Sequence, residues 1–247
     1  MRKVWAIIRR ELIAYFSSPL AYIVMTAFLL MQGYIFYLIV SFLNNPMTPA
    51  MTPLRLFFGG TMFFWMFLLF VVPVITMRLI AEERRSGTVE VLLTSPITEG
   101  QVVVGKFLAA LVFYIVLWLP TVIYVLVLGR HSDIDFGPVL AGYLGVLLLG
   151  FLLLAVGTFA STVTDNQLIA AIIAFAAMVG LFSIGLVEQL MLSSSVIKSA
   201  FGHMNLWTQM DDFAKGIVDT RHVIYQLSGG VLFLFLAAKS LEVKKWR

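Results

Sequence analysis

Residues Glu82 to Ile97 read EERRSGTVEVLLTSPI, a charged stretch containing a turn, set between two long runs, Leu56–Met77 and Phe107–Leu128, that carry no charge at all. A helix needs about 20 apolar residues to cross a hydrocarbon core, so the two runs hold this charged island against one face of a membrane. The whole composition agrees: 61% of residues are hydrophobic, 12% are charged, and the mean hydropathy is +0.98. A soluble domain needs a charged surface that this chain cannot supply, and that class is excluded. The apolar runs are continuous rather than alternating, which makes them helices and not barrel strands.

Six spans follow, over about 20–43, 56–77, 98–128, 139–163, 168–187 and 223–240. Ser18 precedes the first as an N-cap with Pro19 at the first helical position, and Asn44, Asn45 and Pro46 close it. Arg55 and Arg78 bracket the second. Thr98 and Gln101, just after Pro96, have the spacing of a capping box and start the helix of the third. Only Thr164, Asp165, Asn166 and Gln167 separate the fourth from the fifth, and the sixth is apolar from Val223 to Ala238 around Gln226 and Ser228.

Lys and Arg set the orientation, because basic residues are retained on the cytoplasmic side. Twelve of them fall in the first segment, the island with its flanks, and the tail; five fall on the other side, Arg55, Arg130, Lys198, Lys215 and Arg221. Both termini are therefore expected in the cytoplasm, with the Asp165 loop on the same side. The first apolar run starts too late and is too long for a cleavable signal, so it is expected to stay in the mature chain. The absence of cysteine removes disulfides and thiolate chemistry. The basic balance reads as membrane topology and anionic-lipid contact; no basic soluble surface exists for nucleic acid.

Three segments outside the spans have patterns of their own. In residues 1–17, Val4, Trp5, Ile8, Leu12, Tyr15 and Phe16 share one helical face opposite Arg2, Lys3, Arg9 and Arg10, an interfacial helix that reads equally as an anchor and as a mechanical element. In the island, Glu82, Glu83, Arg84 and Arg85 extend the second span, Ser86 and Gly87 permit a change of direction, and Thr88 caps a short helix with Glu90 in its first turn. Val89, Leu92 and Leu93 give that helix an apolar face before Pro96 stops it, which suits a groove on a partner protein better than a solvated loop. In the outer loop, 188–222, the residues Ile197, Phe201, Met204, Trp207, Met210 and Ile217 recur at helical spacing opposite Asp211, Asp212, Lys215 and Asp219. A helix half-embedded in the outer surface, with Trp207 at the interface, is favoured over a gate on a transport path.

The island, with Gly87, Thr88, Val89, Glu90, Leu92, Leu93 and Pro96, resembles the coupling-helix region of ABC-2 type transporter permeases, and the likeness continues through Gly105, Lys106, Phe107, Pro120 and the stretch from Ala160 to Gln167. The stretch from Asp211 to Ser228, with LEVKKW ending at Trp246, resembles the permease subgroup associated with gliding motility. The resemblance implies an all-α integral membrane protein: an N-terminal amphipathic elbow helix over 1–17, then a six-helix domain over 18–247 with a cytoplasmic coupling helix and a short extracytoplasmic helix before the last span. It implies a dimer with a second permease copy or close paralogue, an ABC ATP-binding subunit that holds ATP and Mg, and an auxiliary subunit with an extracytoplasmic domain, all in a bacterial-type cytoplasmic membrane. Glu82, Glu83, Arg84, Arg85, Gly87, Thr88, Glu90, Leu92 and Leu93 are the expected ATPase contact, and Asp165, Asn166 and Gln167 a second cytoplasmic one. The chain itself has no glycine-rich phosphate loop ending in Lys and Ser or Thr, so it is expected to carry no cofactor and no catalytic residue of its own.

Two other classes compete. The Glu82–Glu83 pair invites comparison with CAAX-type intramembrane metalloproteases, but the Arg that follows their glutamates would fall on Gly87, no HExxH pair exists, and His131, His203 and His222 all lie on the expected outer side. An ion-coupled carrier or channel places ionisable residues within the membrane, and the apolar runs at the centre of these spans, such as Phe107–Leu128 and Val223–Ala238, hold none. The cargo implied is hydrophobic or amphipathic, or else force is what crosses. Small residues at Gly137, Ala141, Gly145, Ala170, Ala174 and Gly180 serve packing within the chain or between copies. Pro73 and Pro120 are expected to kink their spans. The aromatic run Phe57, Phe58, Phe63, Phe64, Trp65, Phe67 and Phe70 is expected to face lipid rather than a substrate path.

Overall fold

A computed structural model describes residues 2–43, 53–85, 87, 98–130, 135–190 and 201–244, and all regular structure among them is helical. In chain order the helices are α1 (Arg2–Phe16), α2 (Pro19–Leu43), α3 (Met62–Thr76), α4 (Ala81–Arg85), α5 (Glu99–Trp118), α6 (Val122–Gly129), α7 (Phe136–Val163), α8 (Gln167–Leu190), α9 (Leu206–Ala214) and α10 (Thr220–Lys244). Among the described residues, six helical stretches are long and apolar enough to cross a bilayer: those of α2, α3–α4, α5–α6, α7, α8 and α10. This is the six-span, all-α membrane protein expected from the sequence.

Local chemistry sets several of the boundaries. Thr98 accepts from the Gln101 amide while the Gln101 side chain accepts from Thr98 N, so the capping box forms at the start of α5. Pro120 splits the third span into α5 and α6 through a tight turn, Leu119–Thr121. Pro73 lies inside α3 without ending it. The Asp135 carboxylate caps α7 by accepting from Gly137 N at 2.9 Å.

The second span starts later than its apolar run. Pro53–Arg55 and the wide π-type turn Leu56–Gly60 form a separate segment, and Thr61 is extended before α3 begins at Met62. Gly59 breaks the helix with φ +114°, a conformation that costs a residue with a Cβ, and a Cβ there would also lie 2.7 Å from Met210 Cγ.

Helix α7 is the centre of the bundle: 72% of its membrane window is buried, against 22% for α2. It packs against α3, α5, α8, α9 and α10. Its glycines make notches for side chains from four different elements, Phe58 on Gly142, Phe213 on Gly145, Tyr114 on Gly150 and Thr76 on Gly157. Close approach at small residues is the main source of helix association where lipid tails are as apolar as the side chains. Of the small residues marked in the sequence, Ala141, Gly145, Ala170 and Ala174 are therefore spent inside the chain, while Gly137 and Gly180 are exposed.

The aromatic run corrects an expectation. Phe57, Phe58, Phe64 and Trp65 are buried, Phe67 is half-buried against Phe28, and only Phe63 and Phe70 are exposed. Edge-on contacts such as Phe57–Phe58 at 5.2 Å and Phe58–Tyr143 at 4.9 Å make this run part of the core, not a lipid face.

Helix α9 forms within the expected outer segment, 188–222. It docks into the end of the bundle, with Met210 and Phe213 buried against Gly59 and Gly145. Trp207 packs on Trp65 at 4.6 Å and its indole N–H donates to Phe182 O at 3.2 Å, so the bundle itself fixes this ring.

Candidate functional site

The island hangs from the end of α3. The helix loosens over residues 77–80, where Leu79 N donates to Thr76 O at 3.1 Å in a tightened turn. A hydroxyl from α7 repairs the break. Ser161 Oγ accepts from Ile80 N and Ala81 N, each at 3.0 Å, and donates to Met77 O at 3.3 Å. Ser161 is fully buried, so these amides have no water to turn to. Helix α4 then runs five residues and ends as Gly87 N donates to Arg84 O, with Gly87 at φ +70°, the left-handed geometry of a helix C-terminus.

Charged groups tie the two flanks of the island together. Lys106 on α5 is buried, and its ammonium lies 3.0 Å from Glu83 Oε1 on α4 and 3.0 Å from Glu11 Oε1 on α1. Arg10 completes the cluster by donating to Glu11 at 2.9 Å and to Glu83. Burial pushes the Glu11 carboxyl up, but Lys106 and then Arg10 outweigh that and hold it below the usual carboxylate range. A buried lysine is tolerable only when paired, and here two carboxylates pair it. The cluster binds α1, α4 and α5 into one unit around the point where the island leaves and rejoins the bundle.

The residues expected to meet a partner divide into three sets. Glu83 and Arg84 are engaged within the chain: Arg84 Nη1 donates to Asp165 Oδ1 at 3.3 Å with its own side chain nearly buried. Glu82, Arg85 and Gly87 are exposed. Thr88, Glu90, Leu92 and Leu93 lie outside the described residues. Asp165 is the exposed partner of Arg84, which brings the loop between α7 and α8 to the island end. Asn166 caps α8 by accepting from Leu168 N at 2.9 Å, and Gln167 is the first residue of that helix. Sequence reasoning overlooked Glu11, Lys106 and Ser161 as site residues. The signal for Lys106 was present, since a lysine between Gly105 and Phe107 at the edge of an apolar run needs a carboxylate.

A family model described as ABC-2 family transporter protein matches residues 50–238. The chain belongs to the ABC-2 transporter family. No curated protein matches it. The matched region spans α3 to most of α10 and includes the island, with α1 and α2 outside it. The chain is thus an ABC transporter permease, a multi-pass membrane subunit, and its family implies an ABC ATP-binding partner.

This ABC-2 permease keeps α1, the island flanks and the end of α10 at one end: Ser240 Oγ reaches Thr162 O at 3.5 Å, close to the Arg84–Asp165 pair. The other end carries a second polar layer. Arg55 grips Asp211 with Nε at 2.7 Å, Asp212 lies 3.0 Å from His222 Nε2, and Glu188 accepts from Asn205 Nδ2 at 2.7 Å. Deeper in, Gln226 donates to Gln209 at 2.9 Å. Burial raises the Asp211 carboxyl, and the Arg55 and Lys215 hydrogen bonds bring it below its usual range. Among the described residues no three His, Cys, Asp or Glu gather as metal ligands.

Proposed function

We propose that this permease transmits nucleotide-driven motion from a separate ATP-binding subunit docked on the 82–97 segment to a transport path between two copies of the membrane domain. The observation that carries this reading is the ion cluster of Arg10, Glu11, Glu83 and Lys106, which fastens both flanks of the island to each other and to α1. A push on the island then moves α1, α4 and α5 together instead of bending a loop. In this reading Arg85, Gly87, Thr88, Glu90, Leu92 and Leu93 form the contact. Glu83 and Arg84 are its footing, and Asp165 steadies it from the neighbouring loop.

The orientation follows the basic residues, with both termini and the island in the cytoplasm and the membrane being a bacterial-type inner membrane. ATP and Mg belong to the partner. The cargo is hydrophobic or amphipathic, or the output is force, in keeping with spans whose described interiors are apolar and aromatic. The likeness of the stretch from Asp211 to Ser228 to gliding-type permeases supports a reading in that subgroup, with an auxiliary subunit at the outer end.

The test is co-purification of the chain with its candidate ATPase through a tag on the permease. Stoichiometric recovery of the ATPase, lost or uncoupled in Gly87→Pro and Glu90→Arg, supports the reading. Unchanged transport and ATPase stimulation in both variants sinks it.

A further inference from the structure

An open groove of about 660 Å³ lies at the island end between α1 and the α3–α4 connection. Six charged residues line it: Arg10, Glu11, Arg78, Glu82, Glu83 and Lys106. Four of these are the ion cluster and satisfy one another. The other two are Arg78 and Glu82. Neither has an ion-pair partner among the described residues: Arg78 only donates to Ser18 Oγ at 3.3 Å and sits over the Tyr15 ring at 5.8 Å. Both line the same small recess beside Tyr15, yet they do not pair with each other. Opposite charges that share a recess without meeting leave room for a ligand that carries both signs.

The surroundings give that ligand a tail. From Arg78 and Tyr15 a shallow crease of about 10 Å³ opens between α2, α3 and α5, lined by Leu20, Ala21, Val24, Val74 and Phe113. These positions lie on the bilayer side of Ser18, Arg78 and Lys106 along their own helices, so polarity changes in order along the path. An apolar wall comes first, then a guanidinium with a hydroxyl, then a carboxylate facing water. That is the sequence of acyl chain, phosphate and amine in an aminophospholipid.

We propose that this groove is a binding site for one zwitterionic aminophospholipid of the phosphatidylethanolamine type. Its phosphate accepts from Arg78 and from Ser18, where a guanidinium and an oxygen ester match well. Its primary ammonium donates to Glu82, and one acyl chain lies against the apolar mouth of the crease. A choline head has no N–H to give to Glu82, and a glycerol head meets Arg78 but leaves Glu82 without a cation, so both bind more weakly. The bound lipid bridges the turn between α1 and α2 to the base of the island. This goes beyond the coupling reading and does not depend on it, since no ATPase takes part.

The experiment is native mass spectrometry of the purified full chain titrated with dioleoyl phosphatidylethanolamine, phosphatidylcholine or phosphatidylglycerol, with acyl-free phosphoethanolamine as competitor. A single adduct is expected to form with the ethanolamine lipid about tenfold more tightly than with the other two, as loss of one charge-assisted hydrogen bond implies. Glu82→Gln, a change at an exposed carboxylate, is expected to abolish that preference while leaving phosphatidylglycerol binding in place. Arg78→Gln is expected to weaken all three lipids, and Arg78→Lys to retain the order of preference. An unchanged ethanolamine preference in Glu82→Gln overturns the proposal. Equal binding of the three lipids to the unaltered chain does so too, and displacement by phosphoethanolamine at the lipid's own concentration removes the acyl crease from it.

Discussion

Replacing Lys106 with Met tests the clamp at the base of the island most directly. The side chain is 2% exposed and contacts two carboxylates that are each 14% exposed. Removing one partner of a buried ion pair costs about 3–5 kcal/mol, because the charge left behind has lost its solvent and its counterion. Arg10 stays on Glu11 and Glu83 but is itself 55% exposed and largely water-screened. The expected loss therefore sits near the lower limit, about 3 kcal/mol. For a chain of this size that is a fall in melting temperature of about 6–12 °C. The assay is thermal unfolding in nanodiscs followed by tryptophan fluorescence, run as a cycle with Glu83→Gln and the double variant. Strong coupling between the two changes is expected, about 1–3 kcal/mol. A Lys106→Met melt within about 2 °C of the parent (under about 1 kcal/mol on the same scale), or strictly additive changes, would refute the clamp.

Ser161→Ala takes the acceptor from two buried amides and is expected to cost about 2 kcal/mol, with faster hydrogen exchange at Ile80 and Ala81 as its local signature. Gly150→Ala drives a Cβ into the Tyr114 ring and is expected to destabilise by about 1–3 kcal/mol, while Gly180→Ala, with nothing within 4 Å of the new carbon, is expected to be neutral or to stabilise by up to about 1 kcal/mol; paired melts distinguish them. The depressed Glu11 carboxyl contributes stability that is complete above its ordinary value of 4.5 and is lost as pH falls through its lower folded value. Melting difference between the parent and Glu11→Gln should accordingly hold steady from pH 8 to pH 5 and shrink below about pH 4.5.

The spans were legible because a bilayer demands uncharged length, and nothing in the core of a helix disguises it. The Thr98–Gln101 cap was legible because its chemistry is local. What was not legible depends on partners distant in sequence. Nothing within LFFGG distinguishes a span from a wide turn until Met210 and Gly142 are known to press on it. The aromatic run looked lipid-facing because aromatics are common there, but α7 and α9 decide which rings are covered. Glu83 and Arg84 looked outward-facing in a charged island. Their partners, Lys106 and Asp165, lie on α5 and in the loop between α7 and α8, and the Arg84 pair closes over 81 residues.

The notches of α7 have a consequence for motion. Phe58, Phe213, Tyr114 and Thr76 seat at four heights along one helix, and each comes from a different element. Moving any of those elements by one residue, about 1.5 Å along the axis, takes a ring or methyl off its glycine and onto a neighbour with a Cβ. Such a bundle is keyed against axial shear much as a lock is keyed by its bitting. It remains free to pivot, because tilting a helix about a seated side chain keeps the tooth in its slot. Conformational change in this chain is thereby steered toward rocking about α7, with α2, the least enclosed of the early helices, as the element with most room to swing.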